Sequence, residues 1–414
     1  MTFAGLETAG SATGPWGRES RQLFAAGPFA DLGRHELAFG RLTLERIDRS
    51  FISDLEGSGL TGRGGAAFSS WRKMVATNRD RGRAAQAVVV ANGAEGEPLS
   101  FKDKTLLAHA PHLVLDGLLA AGRAVGAGQL YIYAGEASLA TLRSAVAARR
   151  ENPRIMVVPA PETFIAGEAS AVVNSISNGV ALPMDLRRRL SSSGVRGRPT
   201  LVFNVETLAH MALIARHGAA WFREAGTIGD PGTRLVSRSG YGAEQVLEVE
   251  GGASLPGILS RAGLDPATMH SVLVGGFHGE WVHPAGRQLS PPGKADGGVH
   301  PGAGVLHVLP AGECGLEATA GMVRYLAAAS ARQCGPCMFG LPAMSQAMDA
   351  VARGGHGPGP VQELERVSRL VDGRGSCHHP DGSVRLVRSA LAIFSDDVAA
   401  HLAGSCTRFA TRDP

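Results

Sequence analysis

A chain of 414 residues, 44% hydrophobic and 19% charged, has ample apolar surface to bury and lies outside the low-hydropathy, high-charge regime of disorder; its length suggests two to four domains. The formal charge of +4 is small and basic residues alternate with acidic ones, which argues against nucleic acid as a partner. No apolar run approaches the roughly 18–20 residues of a membrane span, and residues 1–17 lack the basic start and apolar core of a secretory signal, so the cytoplasm is the expected location.

In chain order, residues 1–50 carry apolar patches at Leu23-Phe24 and Phe29 without a sustained period, and a loosely packed lead-in is expected. Over 51–228 short β-type runs alternate with helical stretches, the pattern of an α/β domain. Strands are predicted at 87–91, 130–133, 155–158 and 201–203, and helices at 104–124 and 207–217. The Gly229-Asp230-Pro231-Gly232 cluster marks a turn, and a second domain is expected over 229–312. Its strands at 235–237, 246–249, 272–274 and 305–309, with a helix at 255–262, suggest a small β-grasp-like unit, and 284–302 reads as a long surface loop. Beyond Glu313 the period turns helical: Leu316, Ala320, Val323 and Leu326, then Val361, Leu364 and Val367, then a helix from Val384 to Leu402. A helical bundle over 313–414 follows.

Three kinds of segment carry chemistry. Gly57 to Gly65 holds five glycines in nine positions, continuing through Ala66, Ala67 and Phe68 into a predicted helix with Trp71, Arg72 and Lys73. Glycine permits close backbone approach, and successive N–H groups at a helix start can hold a phosphate or a ring edge; a plain flexible turn fits as well, and the spacing is neither Walker nor Rossmann. Asn92-Gly93-Ala94-Glu95-Gly96-Glu97-Pro98 follows a predicted strand, and strand ends are where α/β sheets bind ligands. All five cysteines lie in the last quarter, an odd number that argues for metal or redox chemistry over a disulfide framework. Cys334-Gly335-Pro336-Cys337 fits an iron–sulfur loop, a zinc loop, a redox dithiol or a buried pair.

Together, Gly62-Arg63-Gly64-Gly65-Ala66, Glu95-Gly96-Glu97-Pro98 with Phe101-Lys102-Asp103, Gly167-Glu168 and Asn204-Val205-Glu206-Thr207 resemble, in order and spacing, the FMN-binding elements of the NADH-oxidising flavoprotein subunit of respiratory complex I. Relatives in NAD-linked hydrogenases and formate dehydrogenases share them, and the resemblance covers roughly 52–402. It implies an α/β FMN-binding domain, a β-grasp-like (SLBB) domain and a C-terminal helical bundle with an iron–sulfur site. It also implies a noncovalent FMN cradled by Gly62, Arg63, Gly64, Gly65 and Ala66, with Phe68, Lys73, Asn92, Glu95, Glu97, Gly167, Glu168, Asn204 and Thr207 shaping the flavin and nucleotide pocket. A [4Fe–4S] cluster is implied on Cys334, Cys337 and Cys377. The family's remaining cysteine position is Ala331, so the cluster is either incomplete or completed by a non-cysteine ligand, with His378 and His379 as candidates; Cys314 and Cys406 fall outside the set as inert thiols.

The chain departs from the family at Ala94 (usually Asp), Ala169 (usually Glu) and Phe203 (usually Asn). Of the aromatic rings offered to the nicotinamide nucleotide only Phe68 is clearly kept, Ala76 and Arg189 standing elsewhere; Arg187, Arg188 and Arg189 suggest a phosphate contact or a solvated basic loop. The implied function is an oxidoreductase subunit passing electrons between NAD(H) and an iron–sulfur partner within a larger redox complex, with no side chain acting as acid or nucleophile. Two other readings are a carrier that uses a ferredoxin or partner subunit instead of NADH, and a non-catalytic scaffold.

Overall fold

Val88, Val89 and Val90 are buried on both faces of the sheet, as a near-continuous apolar run demands of a central parallel strand. The computed structural model describes residues 22–80, 86–149, 155–184, 189–291, 297–310, 312–354 and 357–407. Strands β1 (Ala87–Gly93), β2 (Ala127–Gly135), β3 (Ile155–Ala160) and β4 (Thr200–Asn204) form an all-parallel sheet in the order β3-β2-β1-β4. Around it lie α1 (Leu32–Phe39), α2 (Phe51–Ser58), α3 (Ser70–Asp80), α4 (Lys102–His109), α5 (Pro111–Val125), α6 (Glu136–Ala147), α7 (Ala169–Asn178) and α8 (Val205–Phe222). Val89 and Ala91 join the core built with α5 and α8, while Val88 and Val90 face Val172 and Val173 of α7.

The predicted helix at 104–124 is two helices. Pro111 has no N–H to continue α4 but suits the first turn of α5, and Ala110 between them leaves helical geometry (φ −135°, ψ 47°). The lead-in is also packed where it is described: Leu23 and Phe24 are buried in the main core. His35 of α1 lies 2.7 Å from Asp116, a buried carboxylate that also pairs with Arg149 and Arg216. The patches look weak in sequence because their partners lie far along the chain. Residues 1–21, with the segment compared to a secretory signal, lie outside the described residues.

Next come β5 (Thr233–Ser239), β6 (Gln245–Glu250), α9 (Leu255–Arg261), β7 (Val272–Val274), β8 (Glu280–Val282), β9 (Gln288–Leu289), β10 (Gly298–Val299) and β11 (Val305–Val308). Five of these strands make a mixed sheet in the order β6-β5-β11-β7-β8, with β5 and β11 parallel and the other pairs antiparallel. The expected loop at 284–302 carries the short parallel pair β9 and β10.

The C-terminal part is helical: α10 (Gly315–Ala328), α11 (Leu341–Arg353), α12 (Gly359–Val371), α13 (His379–Ile393) and α14 (Ser395–Leu402). The predicted helix at 384–402 is divided at Phe394, whose backbone (φ −101°, ψ 32°) leaves helical geometry while its ring fills the core against Trp281. Among the described residues no helix is long and apolar enough to cross a membrane.

Candidate functional site

The glycine-rich segment between α2 and α3 closes on itself. Gly62 N–H donates to the Phe68 carbonyl at 2.9 Å and Ser70 N–H to that of Leu60 at 3.1 Å. The loop then docks on α8, where Arg63 N–H donates to Thr207 Oγ1 at 2.9 Å. A Cβ on Gly64 would lie 3.1 Å from Cβ of Asn204, and Gly65 holds φ +105°, where a side chain is strained. Of the expected cradle residues, Arg63 turns its guanidinium away, donating to Thr61 and to the Pro231 carbonyl at 3.2 Å each, so only its backbone belongs to the cradle. Phe68 is half exposed. Lys73 reaches under β4, its ammonium 3.3 Å from the Val202 carbonyl and 5.6 Å from the centre of the Phe203 ring. No carboxylate pairs with it among the described residues, and burial lowers its pKa. A largely buried cation beside a glycine-rich loop at the ends of β1 and β4 suits an anionic, planar ligand, so these residues fit FMN.

The other expected contacts shape the cradle through protein partners. Asn92 donates to the Gly167 carbonyl at 2.9 Å and accepts from Ala94 N–H at 3.2 Å, tying the 94–97 loop to the start of α7. A Cβ on Gly167 would lie 3.0 Å from the Ala94 carbonyl oxygen. Asn204 caps α8 and donates to Asp103 at 2.6 Å. Glu95 accepts from Ser100 Oγ at 2.6 Å and from Asp103 and Lys104 N–H at 3.0 Å, capping α4, while Glu168 caps α7 through Ser170 and Ala171 N–H. Ala66 lies within the docked loop, and Arg187 and Arg188 lie outside the described residues; Arg189 is exposed, near Asp80 at the end of α3.

Beneath the cradle runs a buried charge network that sequence patterns do not reveal, because its partners come from different motifs. Lys102 Nζ lies 2.7 Å from both Asp103 and Glu206, and Glu206 also accepts from Leu235 N–H of β5 at 2.8 Å, joining α8 to the second sheet. Burial opposes the charge on Lys102, yet the two carboxylates hold its pKa above the ordinary value; burial likewise opposes that of Glu206, which Lys102 holds down to about 2. Lys102→Met should strand two buried carboxylates and cost about 3–5 kcal/mol, read as a lower urea midpoint; a loss below about 1 kcal/mol would show that the network is not needed for stability.

Glu97 ties the cradle to the second sheet by accepting from Phe277 N–H at 2.9 Å. Burial pushes its carboxyl up to about 7, against the N–H groups of Phe277 and Leu99 and with help from Glu95. The native chain therefore keeps this proton to higher pH than the unfolded chain, so Glu97 costs nothing below about pH 4.5 and destabilises increasingly as pH rises through 7. Glu97→Gln keeps the acceptor for Phe277, and its stability should gain on wild type by about 3 kcal/mol between pH 4.5 and 8. Denaturation curves at several pH values check this, and a gap that does not change with pH would refute it.

The cysteine loop lies between α10 and α11. Cys334 and Cys337 sulfurs are 3.4 Å apart, and Cys337 lies in a π-type turn (Pro336–Gly340) that leads into α11. Burial works against ionising Cys334, but the N–H groups of Ser376 and Cys337 hold its pKa below the ordinary value; burial pushes Cys337 up to about 12 and also raises Cys377. The three sulfurs thus lie in one electrostatic neighbourhood, with only the Cys-x-x-Cys pair in contact. Three cysteine sulfurs in one neighbourhood are the kind of donor set by which an iron–sulfur cluster is held.

Neither candidate for the remaining ligand is well placed. His379 is buried with one ring nitrogen 2.8 Å from the Leu326 carbonyl and the other 3.0 Å from His278 Nε2, so both are engaged. His378 projects into solvent, 3.5 Å from Asp381. His379 serves instead in a bridge that sequence reasoning missed, in which Phe164 beside the cradle packs edge-on against His278 and His379 at 4.7 and 5.4 Å between ring centres.

Residues 55–213 match the family model described as the Nuo51 FMN-binding domain, and residues 317–401 that of the NADH-ubiquinone oxidoreductase-F iron-sulfur binding region. The F subunit of NADH-quinone oxidoreductase from Salmonella typhimurium is 29% identical over 387 residues, 84% of this chain and 83% of the relative. A Rhizobium meliloti F subunit of the same oxidoreductase, the one numbered 2, is 26% identical over 399 residues, 88% and 90% of the two chains. Among solved structures, that of an NAD+-reducing [NiFe]-hydrogenase in the air-oxidized state superposes with a TM-score of 0.79 at 26% identity, covering 89% of this chain. This chain spans 65% of that hydrogenase chain. The two matched regions contain the glycine-rich loop and the cysteine loop, and the relatives align across both, so the chain carries the FMN-binding and iron–sulfur binding regions that these models describe and is similar across both to NADH-quinone oxidoreductase F subunits.

Proposed function

We propose that the chain is an NADH dehydrogenase-type subunit that passes electrons from NADH through FMN and a [4Fe–4S]-type cluster to an iron–sulfur partner within a larger redox complex. When bound, FMN takes a hydride as an electron pair and releases electrons singly to a cluster. The observation that carries the reading is the closeness of the two cofactor regions: Phe164, whose backbone a Cβ on Gly96 of the cradle would meet at 2.8 Å, packs edge-on against His379, two residues beyond Cys377. The protein's own part is positional. The 62–68 loop holds the flavin backbone-first, Lys73 offers the charge, and Phe68 presents one ring to the nicotinamide nucleotide. Met338 and Phe339, exposed beside Cys337, offer the partner an apolar contact. The relatives' names favour NADH as donor over a ferredoxin, and a scaffold without chemistry has no use for a retained cradle and cysteine loop.

The domain reading goes with it: a lead-in over 1–50, an FMN domain over 51–228, a β-grasp-like domain over 229–312 and an iron–sulfur domain over 313–414. The β-grasp reading is supported by a mixed five-stranded sheet holding a single helix, α9. Five cysteines outside any disulfide suit the reducing cytoplasm. Anaerobic titration with NADH tests the function, with the flavin absorbance expected to bleach in a saturable way. A flavin reduced by reduced ferredoxin but not by NADH or NADPH would overturn it.

A further inference from the structure

Cys314, His401 and Cys406 look unrelated in sequence, and three pieces of local structure bring them together. Cys314 is the N-cap residue of α10, and a Cβ on the next residue, Gly315, would run into the Phe394 ring; so close a fit seats the start of α10 on the α13–α14 junction. His401 is buried in the last turn of α14, its Nε2 3.5 Å from Cys314 Sγ. Beyond it the chain doubles back through Gly404 at φ 82°. Gly404 N–H donates to the His401 carbonyl at 2.9 Å and Ser405 N–H to that of Ala400 at 3.0 Å, closing the C-terminal end of the helix around a left-handed glycine. Thr407 then donates to Asp397 of the same helix. This turn returns Cys406 to the other two, and one ligand atom from each residue lies within 4.8 Å of the rest.

The chemistry of the three groups is that of a metal-binding set. His401 Nδ1 faces the Val351 carbonyl at 3.2 Å, and because a carbonyl only accepts, this bond places the ring proton on Nδ1 and leaves the Nε2 lone pair aimed at the sulfur. Metal-bound imidazoles are oriented in this way. Around a tetrahedral zinc, with Zn–S about 2.3 Å and Zn–N about 2.0–2.1 Å, a sulfur and a nitrogen ligand lie about 3.5 Å apart, the separation found here. Burial pushes the Cys314 thiol up to about 11, against the N–H groups of Glu317 and Leu316 and with help from Cys406, and a bound cation would relieve that cost.

We propose that Cys314, His401 and Cys406 form a second metal site, a Cys2His set for zinc or a similar thiophilic divalent cation, that pins the C-terminal turn to the start of α10. It is separate from the cysteine loop, because α10, 14 residues long, puts about 20 Å between its two ends. Three protein ligands leave a fourth position for water or an exogenous ligand.

The test uses the full chain with its FMN, dialysed against a slight excess of zinc sulfate under reducing conditions and then desalted. Elemental analysis should find about one zinc per chain, falling at least about fivefold in Cys406→Ser and in His401→Gln but kept in Cys337→Ser. FMN retained by Cys406→Ser shows that the variant has folded. X-ray absorption at the zinc edge of the unmutated protein needs no variant and should give two sulfurs and one nitrogen. Zinc that follows Cys337 rather than Cys406, no zinc after dialysis, or a Cys314–Cys406 disulfide in the intact mass would each overturn the proposal. The Cys406→Ser and His401→Gln results do not bear on the electron-transfer reading, since none of the three residues belongs to the cradle or the cysteine loop, whereas zinc that follows Cys337 would count against the cluster assignment as well.

Discussion

Cys337→Ser should empty the cluster site while FMN stays bound. Cys337 is 2% exposed and touches Cys334, so a serine there removes the most buried thiolate of the set and puts a poor ligand in its place. Ala331 already supplies nothing at the family's first position, so the loss leaves two thiolates for several irons. Iron and acid-labile sulfide in anaerobically prepared protein should fall at least about tenfold, while heat-released FMN is unchanged because the cradle is built from residues 62–68, 92–97, 167–168 and 204–207. NADH should still bleach the flavin of the variant, and transfer to a one-electron partner should fail. Ala331→Cys is the complement, restoring the family spacing and slowing loss of the cluster in air. Iron retained at the wild-type level in Cys337→Ser would sink the ligand assignment.

Gly64→Leu should expel FMN and leave the cluster intact. Gly64 has ordinary negative φ, so the substitution tests space alone, and its first carbon already meets Asn204 at 3.1 Å before the rest of the side chain is placed. Asn204 cannot give way cheaply, because it caps α8 and donates to Asp103. FMN affinity should fall at least about 100-fold, or roughly 2.7 kcal/mol, whereas Gly64→Ala, relieved by a shift of a few tenths of an ångström, should lose about tenfold or less. Titrating apoprotein with FMN and following its fluorescence measures both. Wild-type affinity in the leucine variant would place the flavin elsewhere.

Elements with a strong local signal are legible in the sequence. The buried run at Val88–Val90 announces β1, whereas the glycine-rich loop and Cys-x-x-Cys each leave several readings open by themselves and are narrowed only by the resemblance. What escapes depends on partners distant in sequence. Nothing local pairs Lys102 with Glu206, or Leu23 with the main core, so the network goes unseen and the lead-in reads as loose. Glu95 and Glu168 are read from the sequence as flavin- or nucleotide-shaping groups, and their capping of α4 and α7 is a further role that the sequence does not show, because a carboxylate before a helix can serve either purpose. Cys314 and Cys406 look inert one at a time. The helix breaks at Ala110 and Phe394 are overrun by a periodicity that continues through them.

The parallel pairing of Val88 with Thr200 sets an order of assembly when the whole chain refolds. Contacts between residues so far apart form slowly, since a long loop must close before they gain anything, while α10 to α13 pack on near neighbours in the chain. Thr207, which anchors the glycine-rich loop, cannot reach Arg63 until β4 has docked beside β1. The cysteine-bearing bundle can therefore be structured while the flavin cradle is still open, and refolding protein should gain competence for iron before competence for FMN. Pulse-labelled hydrogen exchange should show α10 and α11 protected earlier than β1 and β4, and simultaneous protection would mean that the chain folds as one unit.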